Sequence, residues 1–285
     1  MPRRKRRGCP PTFFLTALIV PSSALAQEFV LALEKLQVEK PLHHMVSLLS
    51  MHLQRGGASS CTHRYRYSRG GWGILLHPKL AWFTQEVPSL LVTAAFCYYA
   101  GNYSLRGLSA RTLLTVLFLA HYSYRSLLYP ILMRSKNRMP FSIWLMSVSF
   151  CLWNGFLQGY FLGYQMAPDA PITPRVAAGA ALQLFGLCNV IYADTTLIFL
   201  RKPGETGYKI PHGGMFKFVS AGNYASEILE WTGYALAAWS LPAAAFAIFV
   251  FANLAPRGAQ HHQWYMQKFD NYKELRRSAV VPFLW

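Results

Sequence analysis

The chain has 285 residues, of which 53% are hydrophobic and 15% aromatic, and its formal net charge is +17. Charged residues make up 14%, well under the roughly 25% of a soluble domain, which excludes an ordinary water-soluble globule. Such a positive balance would suit nucleic acid in a soluble chain. Here the basic residues fall between apolar runs and at the ends, where Lys and Arg flank membrane spans on the cytosolic side, so no nucleic-acid partner is expected and membrane lipid is.

The first residues read two ways. RRKRR (3–7), TFFLTALIV (12–20) and SSALAQ (22–27) have the charged, apolar and small-residue order of a secretory signal peptide; the same stretch also suits a short first membrane anchor. Residues 28–60 form a mixed helical stretch with Pro41 and the His43-His44 pair, too polar for a span. The reading therefore sets a divergent N-terminal region over 1–71 apart from one membrane-embedded domain over 72–285. In that domain apolar runs cover 80–100, 108–132, 140–164, 175–200 and 215–253, the last long enough for two spans broken near Pro242. About 20 apolar residues cross a bilayer as a helix. The expected fold is an all-α integral membrane bundle of six transmembrane helices, seven with the N-terminal segment, enclosing a cofactor and substrate cavity.

The connecting segments give an orientation. Arg134, Lys136 and Arg138 follow the second run, Arg201, Lys202 and Lys209 the fourth, and Arg257, Lys268, Lys273, Arg276 and Arg277 the last. The alternate segments, QMAPDAPITP (165–174) and SLP (240–242), carry no Lys or Arg. That alternation places the C-terminus in the cytosol, with Arg106 and Arg111 against it, and makes Asn102 a candidate lumenal glycosylation acceptor. The five cysteines form no CxxC pair; Cys97, Cys151 and Cys188, inside apolar runs, read as small buried hydrophobes. His261-His262 beside Trp264-Tyr265 has no third ligand at helical spacing. An interfacial polar belt is expected there, and no metal.

Polar side chains inside the runs carry the chemistry, because ionisable groups at membrane depth face the bundle interior and mark function. Gln85 and Glu86 precede Pro88 in the first run. Tyr122, Arg125 and Tyr129 share a helix face in the second. Asn154 and Gln158 lie at i, i+4 in the third, where interhelical hydrogen bonding is a sufficient explanation. Asn189 and Asp194 flank Tyr192 in the fourth, and Asn223, Glu227 and Glu230 line one face in the fifth, with Tyr234 a turn on. Carboxylates are seldom needed to hold helices together, so converging faces of this kind suggest an enclosed wet cavity with a polar ligand. A carboxyl group in apolar surroundings stays neutral and can donate a hydrogen bond, as a phenol does. Two such donors on one carbonyl oxygen stabilise a developing enolate, and Glu86 and Tyr122 are the candidates. The chemistry then needs a hydride donor, and the basic segments suit the phosphates of a cofactor.

AWFTQEVPSL (81–90), HYSYRSLLYP (121–130), NGFLQGY (154–160), the block from Asp194 through RKPGETGYKIP to EWTGYALAAWS ending at Ser240, and the HHQWY-to-PFLW tail together resemble the steroid 5α-reductase family, the 3-oxo-5α-steroid 4-dehydrogenases, from about Trp72 to Trp285. The resemblance implies a seven-helix endoplasmic reticulum reductase that uses NADPH to reduce the Δ4 double bond of 3-oxo-Δ4 steroids. It assigns Gln85, Glu86 and Tyr122 to the substrate end, with Glu86 and Tyr122 on the 3-keto oxygen. It assigns Asp194, Arg201, Tyr208, Asn223, Glu227 and Tyr265 to NADPH.

Two departures stand on the cofactor side. Val190 occupies a family asparagine position, with Asn189 one residue, or about 100°, away. Met133 and Lys136 replace an Asn/Arg pair; Lys136 can still meet a phosphate but lacks the bidentate fork. The alternatives are a reductase of another conjugated lipid carbonyl (a polyprenal or 2-enoyl thioester), an inactive lipid-binding membrane protein, and, more weakly, a proton-coupled carrier.

Overall fold

The computed structural model describes residues 74–101, 108–202 and 204–283. The signal-like stretch, the mixed segment 28–60, the 1–71 region and the Asn102 acceptor lie outside the described residues. What is described is mostly helical. A two-residue strand, β1 (Leu75–Leu76), pairs antiparallel with β2 (Met139–Pro140), a small addition to the all-α expectation. The helices are α1 (Pro78–Tyr99), α2 (Ala110–Ser123), α3 (Tyr129–Leu132), α4 (Phe141–Tyr160), α5 (Pro174–Phe199), α6 (Gly222–Ala238) and α7 (Leu241–Lys268). A π turn, Tyr124–Leu128, joins α2 to α3, and another, Phe161–Gln165, extends α4.

The helix starts follow local chemistry. The Ser109, Thr173 and Ser240 hydroxyls accept from Thr112 N, Val176 N and Ala243 N, capping α2, α5 and α7. Pro174 and Pro242 sit in the first turns, where a missing N–H costs nothing. The expected break near Pro242 is present: α6 ends at Ala238, Trp239 adopts φ 47°, and α7 begins at Leu241. Two boundaries differ. Residues 215–221 are not regular α-helix, because this segment pairs with the chain end instead, Ser220 N and Ala221 N donating to Ser278 O and Ala279 O. And α7 runs through Pro256 to Lys268, carrying His261, His262, Trp264 and Tyr265 on a continuous helix.

Each expected apolar run holds a helix, but three of them, α1, α5 and α7, are long and apolar enough to cross a membrane by length and composition alone. The others fall short for visible reasons. The π turn interrupts α2 after 14 residues, α6 has 17, and α4 includes Ser142, Ser147, Ser149, Asn154 and Gln158. Exposed apolar side chains such as Leu91, Met146, Phe185, Ile248 and Phe251 form the outer surface, as suits helices facing lipid. The core gathers Phe118, Tyr122, Trp231, Tyr234 and Phe246 from α2, α6 and α7. Cys97 and Cys151 are buried, but Cys188 is exposed on α5, which corrects the expectation of three buried thiols.

Arg111 also differs from its reading as a flanking charge. It is buried, and its guanidinium donates to Gly163 O in the π turn after α4. At the start of α5, Arg175 donates to Leu236 O at 2.5 Å and Ala237 O at 2.8 Å, capping α6. Both arginines are thus held by main-chain carbonyls at helix ends.

Candidate functional site

The site begins at the α1–α4 seam. Ser89 Oγ donates to Cys151 O at 2.9 Å and Thr93 Oγ1 to Gly155 O at 3.0 Å. The approach requires a glycine: a Cβ on Gly155 would lie 2.9 Å from the Ser89 Cα. Close backbone contact through small residues, backed by hydroxyl bonds, is how membrane helices associate without a hydrophobic drive between them.

That seam places Gln85 and Glu86 beside Cys151. Gln85 Nε2 donates to Glu86 Oε1 at 3.2 Å, and the Cys151 thiol lies 3.9 Å from Glu86 Oε2. Gln85 is buried, and its Oε1 has no hydrogen-bond partner among the described residues. One turn further along α4, Asn154 Nδ2 donates to the Tyr122 hydroxyl at 3.0 Å. Glu86 and Tyr122 therefore meet the same stretch of α4 and interact electrostatically. Tyr122 itself is 3% exposed and packs on Phe118 and Trp231.

Deeper in the bundle lie two buried polar pairs. His121 Nδ1 and Glu230 Oε1 are 2.8 Å apart, both side chains buried. Arg125 Nη1 lies 3.1 Å from Asp194 Oδ2, which also accepts from the Tyr124 hydroxyl at 3.3 Å. The Arg125 guanidinium sits over the rings of Trp82 and Tyr129, at 4.8 and 4.9 Å. Glu227, half-buried on α6, is an electrostatic neighbour of both His121 and Arg125, and Asn223 is half-buried a turn before it. Asp194 and Glu227 thus join the interior cluster, with Asp194 already paired to Arg125.

His121 is the residue that sequence reasoning missed. It stands next to Tyr122, but its partner is 109 positions away, and one imidazole in an apolar run gives no spacing signal. Its trace was indirect: Glu230 at a core position needs a cation or donor to be tolerated.

The remaining expected cofactor residues lie at one end of the bundle. Lys136 and Arg201 are exposed, and among the described residues neither has an ion-pair partner; Arg201 Nη1 donates to Gly207 O at 3.2 Å. The Arg134 guanidinium lies 4.3 Å from the Phe199 ring centroid, which brings the Lys136 and Arg201 segments to the same end. Exposed Tyr208 packs edge-on against Trp264 at 4.6 Å, and Tyr265 stacks on Tyr272 at 5.0 Å. Glu205 holds this loop, accepting from Lys209 Nζ at 2.5 Å and Lys202 N at 2.8 Å; those donors, Lys209 first, pull its carboxyl below the ordinary value. Exposed cations free of carboxylate partners fit the phosphates of a nucleotide, so the donor set is compatible with NADPH. Asn189 is not brought to this group: its Nδ2 donates to Phe185 O, a turn back on its own helix, while Val190 takes the inward position.

Comparison with known proteins agrees with the sequence resemblance. The family profile described as "3-oxo-5-alpha-steroid 4-dehydrogenase" matches residues 137–285. The chain is 43% identical over 222 residues to 3-oxo-5-alpha-steroid 4-dehydrogenase 1 of Bos taurus, covering 77% of this chain and 86% of the relative. It is 44% identical over 210 residues to 3-oxo-5-alpha-steroid 4-dehydrogenase 1 of Homo sapiens, covering 73% and 80%. With 3-oxo-5-alpha-steroid 4-dehydrogenase 2 of Homo sapiens it shares 42% over 212 residues, covering 74% and 82%. This extent of identity, with a family profile that matches more than half of the chain, settles the family: the chain belongs to the 3-oxo-5-alpha-steroid 4-dehydrogenases.

Proposed function

We propose that this protein is a membrane reductase that uses NADPH to saturate the Δ4 double bond of 3-oxo-Δ4 steroids, giving 5α-reduced 3-oxo steroids. The observation that carries the reading is the meeting of Glu86 and Tyr122 on one stretch of α4, inside a family whose relatives are named for this steroid reaction. Those names also favour a steroid over a polyprenal or 2-enoyl thioester.

The chain's own part is to hold and polarise the ketone. Glu86 and Tyr122 donate to the 3-keto oxygen, so charge that develops there as the enone becomes an enolate meets prepositioned donors. Gln85, bonded to Glu86, keeps that carboxyl aimed. Arg201, Lys136 and Tyr208 at the basic end, Tyr265 on α7, and Asn223, Glu227 and Asp194 toward the interior would hold NADPH, while Asn189 is turned away from it. When bound, the nicotinamide supplies the hydride that adds at C5. C4 of the enolate then takes up a proton from water, and the ketone is restored.

The topology belongs to the same reading: six or seven spans in the endoplasmic reticulum membrane, the basic segments and C-terminus in the cytosol, where NADPH is available. The test is product analysis after membranes carrying the chain receive NADPH and a 3-oxo-Δ4 steroid, beside parallel incubations with a polyprenal. A 5α-reduced steroid is expected. Steroid bound without turnover would instead identify an inactive lipid-binding protein.

A further inference from the structure

The Tyr122 hydroxyl ends a string of side chains whose direction of donation is set at the far end. The main-chain oxygen of Pro242 can only accept, and it lies 3.0 Å from Gln158 Nε2. The Gln158 amide is thereby oriented, and its Oε1 accepts from the Tyr234 hydroxyl at 3.0 Å. The same Nε2 reaches Asn154 Oδ1 at 3.2 Å, using its second N–H. That orients the Asn154 amide in turn and leaves Nδ2 to donate to the Tyr122 oxygen at 3.0 Å. Asn154, Gln158 and Tyr234 are all buried, so water is not at hand to reverse any of these bonds.

A phenol has one proton and two acceptor positions. A neighbour able to accept would capture the proton; Asn154, with its nitrogen forward, cannot. Ser89 also lies against Tyr122, and its own hydroxyl proton goes to Cys151 O at 2.9 Å.

We propose that Asn154 and Gln158 are positioning residues that fill one acceptor position of Tyr122 with an N–H and so keep its phenol proton for the substrate ketone. This rests on the reductase reading above.

The test compares wild type with Asn154→Asp, which keeps size and shape but puts an acceptor against the phenol. The steroid kcat falls about 100-fold, the scale of one lost oxyanion donor, while KM for the steroid barely moves. As pH is lowered, the introduced carboxyl regains an O–H that can donate to Tyr122, so the ratio of variant to wild-type kcat climbs. Glu86, Cys151 and His121, the titratable groups around Tyr122, are present in both proteins, so the comparison is made as that ratio. Gln158→Glu, which still accepts from Tyr234 but loses both N–H donors, lowers kcat in the same direction. Unchanged kcat, a loss carried by KM alone, or a flat pH ratio in the aspartate variant overturns the proposal.

A second measurement separates this proposal from the reading beneath it. The infrared carbonyl stretch of a bound 3-oxo-Δ4 steroid, isotope-labelled at the ketone, is lower in wild type than in Asn154→Asp. If wild type proves inactive but this difference is present, the positioning role stands and the reductase reading falls. If wild type is active and the stretch is the same in both, the positioning role falls and the reductase reading stands.

Discussion

Glu230 Oε1 lies 2.8 Å from His121 Nδ1, and both side chains are sealed inside the helix bundle. The second carboxyl oxygen, Oε2, has no hydrogen-bond partner among the described residues. The pair ties α2 to α6 beside Tyr122, and removing one member strands the other in low dielectric. Glu230→Leu is expected to destabilise the protein by about 1–3 kcal/mol. The double variant with His121→Phe recovers part of that loss, because neither polar group then remains unpaired. Denaturant or thermal unfolding of purified protein in detergent, arranged as a double-mutant cycle, measures both.

Glu86→Gln and Tyr122→Phe each remove one proposed donor to the keto oxygen. Turnover of a 3-oxo-Δ4 steroid is expected to fall by about 10²–10³-fold in each. NADPH affinity, measured by titration of the purified protein, stays close to wild type, because the basic end of the bundle is untouched. Wild-type turnover in either variant removes that residue from the proposed pair.

Gly186 on α5 allows α6 to approach so closely that an added Cβ would lie 2.5 Å from the Glu230 Cα. The obstacle is backbone, so the helices themselves must move. Gly186→Ala is expected to cost about 1–3 kcal/mol and to lower steroid turnover together with stability, since the displaced α6 carries Glu230 away from His121. Unfolding curves and kcat on the same preparation test the coupling.

Arg201 and Lys136 are exposed at the proposed phosphate end. Arg201→Ala is expected to raise KM for NADPH with little change in kcat, the pattern of lost uniform binding. Arg201→Lys is milder, because a point charge remains without the planar fork. Raising salt narrows the gap between wild type and Arg201→Ala, as screening weakens what the exposed guanidinium contributed.

Much of the interior site was legible because hydrocarbon-like runs make polar residues conspicuous. Gln85, Glu86, Tyr122, Arg125 and Glu230 stood out that way, and all reach the polar interior. Asn154 and Gln158 stood out too, but their spacing says only that they share a face; the direction of each amide is set by Pro242, on another helix. His121 hid because a single imidazole has no period and its partner is remote in the chain. Arg111 counted as a charge in the sequence, whereas in the fold it, like Arg175, caps carbonyls of a distant helix end. The continuation of α7 past residue 253 was obscured by Pro256, which a long helix can absorb where neighbouring groups satisfy the freed carbonyl. The π turn at Tyr124–Leu128 has no residue signature at all. It shifts the register after Tyr122, turning Arg125 toward Asp194 and Trp82.

The reference point for Tyr122 is an oxygen of the main chain. Any side chain in the string can be exchanged by a single codon change, but the Pro242 carbonyl remains whatever residue stands there. Reversing the phenol therefore requires altering an amide or moving the start of α7 itself. Strain, heat or detergent that loosens the Trp239–Ser240 junction should thus blunt the chemistry before the bundle comes apart, with the ketone still seated but less firmly gripped.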